Sequence, residues 1–476
     1  MKKILVVIDG LGLREETEGN TFKQADTPTL DYLMDKYGYQ ELDASGPAVG
    51  LPEGYTGNSE VGHLHMGAGR VVPQRLTRIN RAIENNELRE KQALKESLER
   101  AEENNSTVHL AGIISDGGIH GHINHLKALM SIASDYDVEV EIHCFTDGRD
   151  VDPKSAKKFI EEIENHAEET GGRIATVMGR FYSMDRDHNW DRTHQAYDAM
   201  AQGEGFEFED PREAVEKAYS DGEYDYFIQP SVRKNFEGMT DDDEVIFFNY
   251  RADRERQIEE ELIEDEDPDE FDEPIHPNFT GMFPYERGLD AASIFEKEIV
   301  EDTLGEEIAD KGMTQLRVAE SQKKPHVTYF FNGQRELKFE GEERKFIESD
   351  KIRAFDERPE MHAEEITDIV IEAVEENEKN FIMLNYANCD LVGHTGDLEA
   401  TIKGLQAVDE NLGRLVEKVE ASEYEMIVTA DHGNCEDMGT EDNPNTSHSM
   451  NKVPLISIEE TAEGVESISQ IRRLIL

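Results

Sequence analysis

The chain has 476 residues, more than one hydrophobic core usually organises, and 37% of them are hydrophobic, so two globular domains are the first expectation. Its 106 Asp and Glu against 49 Lys and Arg leave a net charge of −57, which argues against nucleic acid or an anionic membrane as a partner. The sequence contains no run of about 18 apolar residues, so no membrane-spanning helix is expected.

The chain opens on "KILVVIDG" (3–10), a first strand. Asp9 interrupts the apolar run too early for a signal peptide, and no small-residue cleavage site follows. In "TGNSEVGH" (56–63), Gly57 and Asn58 favour a turn, and Ser59 and Glu60 head a helix. Ser59 suits a helix cap or a nucleophile, and these residues alone leave both open. The charged helical stretch "RLTRINRAIENNELREKQ" (75–92) comes next. Further apolar runs ending in polar or glycine-rich tips are "VHLAGIISDGG" (108–118), "VEIHCFTDG" (140–148), "RIATVMGR" (173–180), "VIFFNYRAD" (245–253), "FIMLNYAN" (381–388) and "MIVTADHG" (426–433). Continuous apolar runs predict strands buried on both faces, hence parallel sheets covered by helices. Charged helical stretches such as "KSAKKFIEEIENHAEE" and "ATIKGLQAVDENLGRLVEKVEA" alternate with them, which argues for an α/β architecture. The acidic segment "EEELIEDEDPDEFDEP" (259–274) is expected to be a solvated loop. Ligands of open α/β sheets sit beyond the carboxyl ends of the strands, so the polar tips are the places for a site.

Cys144, Cys389 and Cys435 form no CxxC pair and leave an odd count, which predicts a reducing cytoplasm and no disulfide framework. Cys389 and Cys435 read as small packing residues. Divalent cations want carboxylate oxygen and imidazole nitrogen. Asp9, Asp390 and His394 in "NCDLVGHTGD", Asp431 and His432 in "TADHGN", and His448 in "NTSHSMN" offer both. Singly, each has an ordinary reading: a turn aspartate, surface groups, a loop histidine. Together they suffice for two metal sites, provided the fold gathers them. Arg149, Arg180, Arg186, Arg251 and Arg254 stand beside strand tips, where they suit either bidentate anion binding or local salt bridges.

The collinear motifs "VIDGLGLR", "GNSEVGHLHMGAGRVVPQ", "SDGGIHGH", "DGRDVDPKSA", "GRFYSMDRDHNWDR", "NYRADRERQ", "QLRVAESQKKPHVTYFFNG", "DLVGHTGD" and "TADHGNCEDM" run nearly from end to end. On these the chain resembles the cofactor-independent phosphoglycerate mutases of the alkaline phosphatase superfamily. The resemblance implies an α/β fold with two domains. An alkaline phosphatase-like metal-binding domain would cover 1–75 and 310–476, and an inserted α/β substrate-binding domain 76–309. It implies that Ser59 is the nucleophile, that Asp9, Ser59, Asp431 and His432 hold one divalent ion, and that Asp390, His394 and His448 hold another. Imidazole ligands favour Mn2+ over Mg2+. By the same resemblance, Arg251 and Arg254 bind phosphate, and Arg149, Arg180, Arg186 and Asp150 hold glycerate. Asp150 is also the general acid/base, His120 contacts substrate, and Lys323 neutralises the phosphoryl group. Lys324 and Pro325 follow Lys323 where the family often has an aromatic, and the chain ends at "ISQIRRLIL", earlier than is usual.

The implied reaction interconverts 3-phosphoglycerate and 2-phosphoglycerate through a phosphoserine, without 2,3-bisphosphoglycerate, in glycolysis and gluconeogenesis. The implied enzyme is a cytoplasmic monomer. Mutase behaviour requires water to be kept from the phosphoserine, so a cleft that closes by hinge motion is expected. The rivals are a metal-dependent phosphatase or phosphopentomutase of the same superfamily, and a catalytically inactive binding protein on this scaffold. The last is disfavoured because every implied ligand is present. A surface so acidic repels itself unless salt screens it, which predicts a protein that works in concentrated salt. Its melting temperature is expected to rise with KCl concentration, and a flat or falling curve would contradict that reading.

Overall fold

A computed structural model of the chain describes residues 2–263, 274–285, 289, 291–440, 442–458 and 462–476. The chain divides into two units, Met1–Thr77 with Glu298–Leu476, and Arg78–Lys297. The return to the first unit falls at Glu298 for a packing reason. Val300 is buried in a cluster with Leu64, Ala68 and Val72 of the first segment.

The first unit is built on a sheet of seven strands among the described residues, in the order Glu342–Ile347, Gln315–Glu320, Phe381–Tyr386, Lys3–Ile8, Glu425–Thr429, Val453–Ser457 and Gln40–Leu42. The first five run parallel. Lys3–Ile8 is buried at every position, as its unbroken apolar run requires when helices cover both sheet faces. The long helix Leu398–Glu420 is amphipathic. Leu405, Val408, Leu412, Leu415 and Val419 recur at helical spacing and are buried, and the Asp397 side chain caps it by accepting the Ala400 N–H at 2.9 Å.

The second unit carries a sheet of eight strands among the described residues. Their order is Ala292–Ser293, Asn278–Gly281, Glu244–Phe247, Thr107–Ile113, Glu139–Thr146, Arg173–Gly179, Ser231–Arg233 and Phe206–Phe208. All seven apolar runs of the sequence form strands. The expectation of purely parallel sheets needs correction. Val453–Ser457 runs antiparallel to Glu425–Thr429, Gln40–Leu42 runs antiparallel to Val453–Ser457, and Ser231–Arg233 runs antiparallel to Arg173–Gly179. These strands are short and lie toward the sheet edges, where a largely parallel sheet commonly accepts antiparallel strands.

The expected acidic loop also needs correction at its start. Residues 259–263 close the helix Arg256–Ile263, with Glu259, Glu261 and Leu262 buried. His194 Nε2 stands 3.7 Å from Glu261 Oε2, so part of the acidic run packs inward. Residues 264–273 of that segment lie outside the described residues.

One buried histidine of the second unit predicts acid sensitivity. His125 hydrogen-bonds Asn80 Oδ1 through Nε2 at 2.9 Å, and burial pushes its pKa down from 6.5 to about 3. The unfolded chain therefore binds a proton that the folded chain refuses. His125 contributes its full stability above pH about 6.5 and loses it progressively as pH falls toward 3. At pH 5 the loss is about 2 kcal/mol. Urea midpoints measured at pH 7 and pH 5 are expected to fall less for His125→Gln than for the parent chain.

Candidate active site

The carboxyl ends of the parallel strands in the first unit gather the site. Asp9 follows the strand Lys3–Ile8, Asp431 and His432 follow Glu425–Thr429, and Lys323 follows Gln315–Glu320. Asp390 lies on the helix Asn388–Gly393 just past Phe381–Tyr386. His448 reaches the same edge because the strand it precedes is antiparallel and begins where its neighbours end. Gly10 turns the chain after Asp9 at φ +80°, with Asp390 so close that a Cβ would lie 2.9 Å from its backbone.

Ser59 is the first residue of the helix Ser59–Ala68. It is not the cap: Asn58 is, its Oδ1 accepting the Val61 N–H at 2.9 Å. The Ser59 hydroxyl is thereby left for other partners. It donates toward Asp9 Oδ1 at 3.2 Å, accepts from Lys323 Nζ at 2.8 Å and stands 3.0 Å from His432 Nε2. Lys323 Nζ also donates to Asp9 Oδ1 and to Asp390 Oδ2, each at 2.7 Å. Lys323 itself, not Lys324, is therefore the lysine that meets the serine.

Three carboxylates, Asp9, Asp390 and Asp431, are nearly or wholly inaccessible to solvent, with Lys323 the lysine among them. Burial raises the Asp390 and Asp431 carboxyls, but Lys323 and the neighbouring histidines outweigh it and hold both well below the usual range. Burial alone would lower the His432 imidazole, yet Asp431, Asp9 and Asp390 raise it to about 10. The cluster thus gathers positive charge. Asp431 Oδ2 accepts no hydrogen bond, although it is buried.

The second group is arranged by backbone carbonyls. His394 Nδ1 faces Thr446 O at 2.7 Å and His448 Nδ1 faces Gly57 O at 2.9 Å, so each ring donates there and turns Nε2 inward as an acceptor. The two Nε2 atoms are 3.0 Å apart, and each is 3.2 Å from Asp390 Oδ1. Three lone-pair atoms converging in this way require a cation or a shared proton. Asp390, His394 and His448 thus fit a divalent ion, and Asp9, whose carboxylate converges with Asp390 and His432 on one side and with His63 and Asp431 on the other, fits another. Asp390 stands between the two groups, with His432 Nε2 3.8 Å from its Oδ1 and 3.5 Å from Asp9 Oδ1.

Sequence reasoning missed His63, which sits one helical turn beyond Ser59. Its Nδ1 donates to Ser59 O at 2.8 Å and lies 3.3 Å from Asp431 Oδ2. The i, i+4 spacing within "SEVGH" was the available signal. Asn385 was also missed. It donates to Asp9 Oδ2 at 2.7 Å, and its signal is an amide inside an otherwise apolar strand.

In the second unit the strand ends gather the other group. Asp147, just past Glu139–Thr146, accepts the backbone N–H groups of Arg149 and Asp150 and accepts from Arg180 Nη1 at 2.7 Å. Arg180 Nη1 also donates to Asp150 Oδ2 at 2.5 Å. His120 Nε2 lies 4.0 Å from Asp150 Oδ2, and its Nδ1 lies 3.6 Å from Glu255 Oε1. Asp253 gathers Arg186 at 3.1 Å and Arg251 at 2.9 Å. Burial, with Arg180 and Arg186 close by, holds Arg254 below the usual arginine range. Arg149 is exposed, and its backbone alone is held by Asp147. So Asp150, Arg180, Arg186, Arg251, Arg254 and His120 form one group in which four arginines interleave with carboxylates, suited to an anion that also carries hydroxyls.

Residues 79–287 match the model of the BPG-independent phosphoglycerate mutase N-terminus, and residues 301–460 match that of type I phosphodiesterase / nucleotide pyrophosphatase. Fold, site and these matches define an alkaline phosphatase-like α/β protein interrupted by a second α/β unit. A 2,3-bisphosphoglycerate-independent phosphoglycerate mutase of Clostridium perfringens is 44% identical over 470 residues, covering 97% of this chain and 92% of the relative. One of Listeria innocua is 45% identical over 463 residues, 95% of this chain and 91% of the relative. A crystal structure of Leishmania mexicana phosphoglycerate mutase at low cobalt concentration superposes with a TM-score of 0.72 at 30% identity, covering 99% of this chain and 94% of that one. The chain belongs to the 2,3-bisphosphoglycerate-independent phosphoglycerate mutase family.

Proposed function

We propose that this chain interconverts 3-phosphoglycerate and 2-phosphoglycerate without 2,3-bisphosphoglycerate, as an isomerase of glycolysis and gluconeogenesis, through a phosphoserine at Ser59. The observation that carries the reading is the Ser59 hydroxyl. It is buried at the head of a helix, 2.8 Å from Lys323 Nζ and 3.2 Å from Asp9 Oδ1, in a chain of this family. The helix N-terminus adds backbone N–H groups that favour a phosphate on that oxygen.

Asp9, Ser59, Asp431 and His432 would hold one divalent ion, and Asp390, His394 and His448 a second. Their imidazoles favour Mn2+ over Mg2+. When bound, such ions supply charge that favours an ionised hydroxyl and neutralises a phosphoryl group. In the proposed reaction, Ser59 would react as the alkoxide, its proton lost to solvent beforehand: the Ser59 Oγ–P bond forms as the P–O bond to the glycerate breaks, and the alkoxide is restored when the phosphoryl group leaves Oγ. The departing glycerate oxygen takes a proton from Asp150. When the phosphoryl group returns to the other hydroxyl, that hydroxyl gives its proton back to Asp150, so the cycle closes without a net change. Arg180, 2.5 Å from Asp150 Oδ2, orients that carboxyl. Arg251 and Arg254 grip the phosphate. Arg149, Arg180, Arg186 and His120 hold the glycerate, and Lys323 offsets charge on the phosphoryl group in transfer.

The substrate is a small molecule, and the reading includes a cytoplasmic monomer without nucleic-acid or membrane partners. Among the described residues, no helix is long and apolar enough to cross a membrane. An enolase-coupled assay started with 3-phosphoglycerate and Mn2+, with no added 2,3-bisphosphoglycerate, is expected to yield 2-phosphoglycerate. Release of inorganic phosphate with no 2-phosphoglycerate would instead assign a metal-dependent phosphatase.

A further inference from the structure

Glu436, in "DHGNCED", touches neither Ser59 nor the proposed ligand atoms, yet it is wholly buried. Its Oε2 accepts the Gly12 N–H at 3.0 Å and the Asn434 N–H at 2.9 Å. Its Oε1 accepts the Asn451 amide at 3.0 Å and the Ser449 hydroxyl. Four neutral donors on two oxygens suit an ionised carboxylate, which accepts only. Burying a carboxylate that no arginine or lysine pairs in these contacts carries a desolvation cost, so the arrangement calls for a return beyond packing.

The donors show where that return lies. Gly12 is three residues beyond Asp9, and Asn434 is two beyond His432. Ser449 adjoins His448, and its own N–H donates to Gly433 O at 3.0 Å. Asn434 continues the chain of contacts by donating its side-chain amide to Asp390 Oδ1 at 3.2 Å. The cradle is tight: a Cβ at Gly12 would fall 2.3 Å from the carboxyl carbon of Glu436, and one at Gly433 would fall 2.5 Å from its Oε1.

We propose that Glu436 is the positioning residue of the metal centre, a buried carboxylate that ties the loops bearing Asp9, Asp431–His432 and His448 into one register. The inference rests on the reading of those residues as ligands. It assigns the convergence of their donor atoms to a single side chain that binds no ion itself.

The test uses the full chain stripped by chelator, with Mn2+ as the probe in titration calorimetry and the melting temperature followed with and without the ion. Glu436→Gln keeps the volume but turns N–H toward donors. Its Mn2+ affinity is expected to fall about 10- to 100-fold, the usual effect of losing a group that orients ligands. A purely structural role would lower the melting temperature of the stripped protein and leave the affinity alone. Ser449→Ala removes one contact next to His448 and serves if the first variant does not fold; its affinity is expected to fall about threefold or more. Affinity within twofold of the parent in every variant that folds would overturn the proposal. A parent chain that binds no Mn2+ would instead overturn the ligand reading beneath it.

Discussion

Ser59→Ala is expected to form no phosphoenzyme and to lose turnover by roughly 10^4-fold or more, the scale seen when a nucleophile is removed. The protein should remain folded. The helix cap belongs to Asn58, whose side chain accepts the Val61 N–H, and alanine suits the first helical position as well as serine does. What disappears is the oxygen that meets Lys323 Nζ, Asp9 Oδ1 and His432 Nε2. Acid quenching of a reaction with 32P-labelled 3-phosphoglycerate, followed by counting of the precipitated protein, reads the covalent intermediate directly. Label retained by the Ser59→Ala chain, or turnover near that of the parent, would mean that another residue is the nucleophile.

Removal of divalent ions is expected to be nearly as severe. Asp9, Asp390 and Asp431 are buried together against Lys323, and two imidazole nitrogens face each other at 3.0 Å across Asp390. Without cations the site relies on Lys323 and on protons held by the histidines, and the His432 imidazole, raised to about 10, keeps its proton at neutral pH. A nitrogen that carries a proton cannot also accept an ion, so metal uptake releases protons and weakens as pH falls. Chelation is expected to cut turnover by about 10^3-fold or more, and Mn2+ should restore it. At free ion about 1,000 times Kd, bound metal adds about 4 kcal/mol of stability, so the melting temperature should fall with chelation as well. Full turnover in protein shown by elemental analysis to be metal-free would defeat this account.

The apolar strands and the identity of the reacting groups were legible in the sequence because both are local properties. "KILVVI" reads as a doubly buried strand wherever it is placed, and "TADHGN" offers a carboxylate and an imidazole whatever surrounds them. The strands Gln40–Leu42, Phe206–Phe208 and Glu342–Ile347 were not legible. They are short, charged or half-exposed, and their pairing comes from neighbours distant in sequence. The helical start of the acidic segment was hidden for a similar reason, since nothing within "EEELI" says that two of its glutamates turn inward.

What the sequence by itself determined, then, is the inventory: an α/β chain, an acidic surface, and the acids, imidazoles, arginines and serine able to carry phosphoryl chemistry. Only the tertiary structure decided which of them meet. It made Asn58 the cap and freed Ser59, chose Lys323 over Lys324, brought His448 to the site through an antiparallel strand, and hung three loops on Glu436. The physical reason is that hydrogen bonds and charge pairing act over a few ångströms of space, while their partners here stand tens to hundreds of residues apart along the chain.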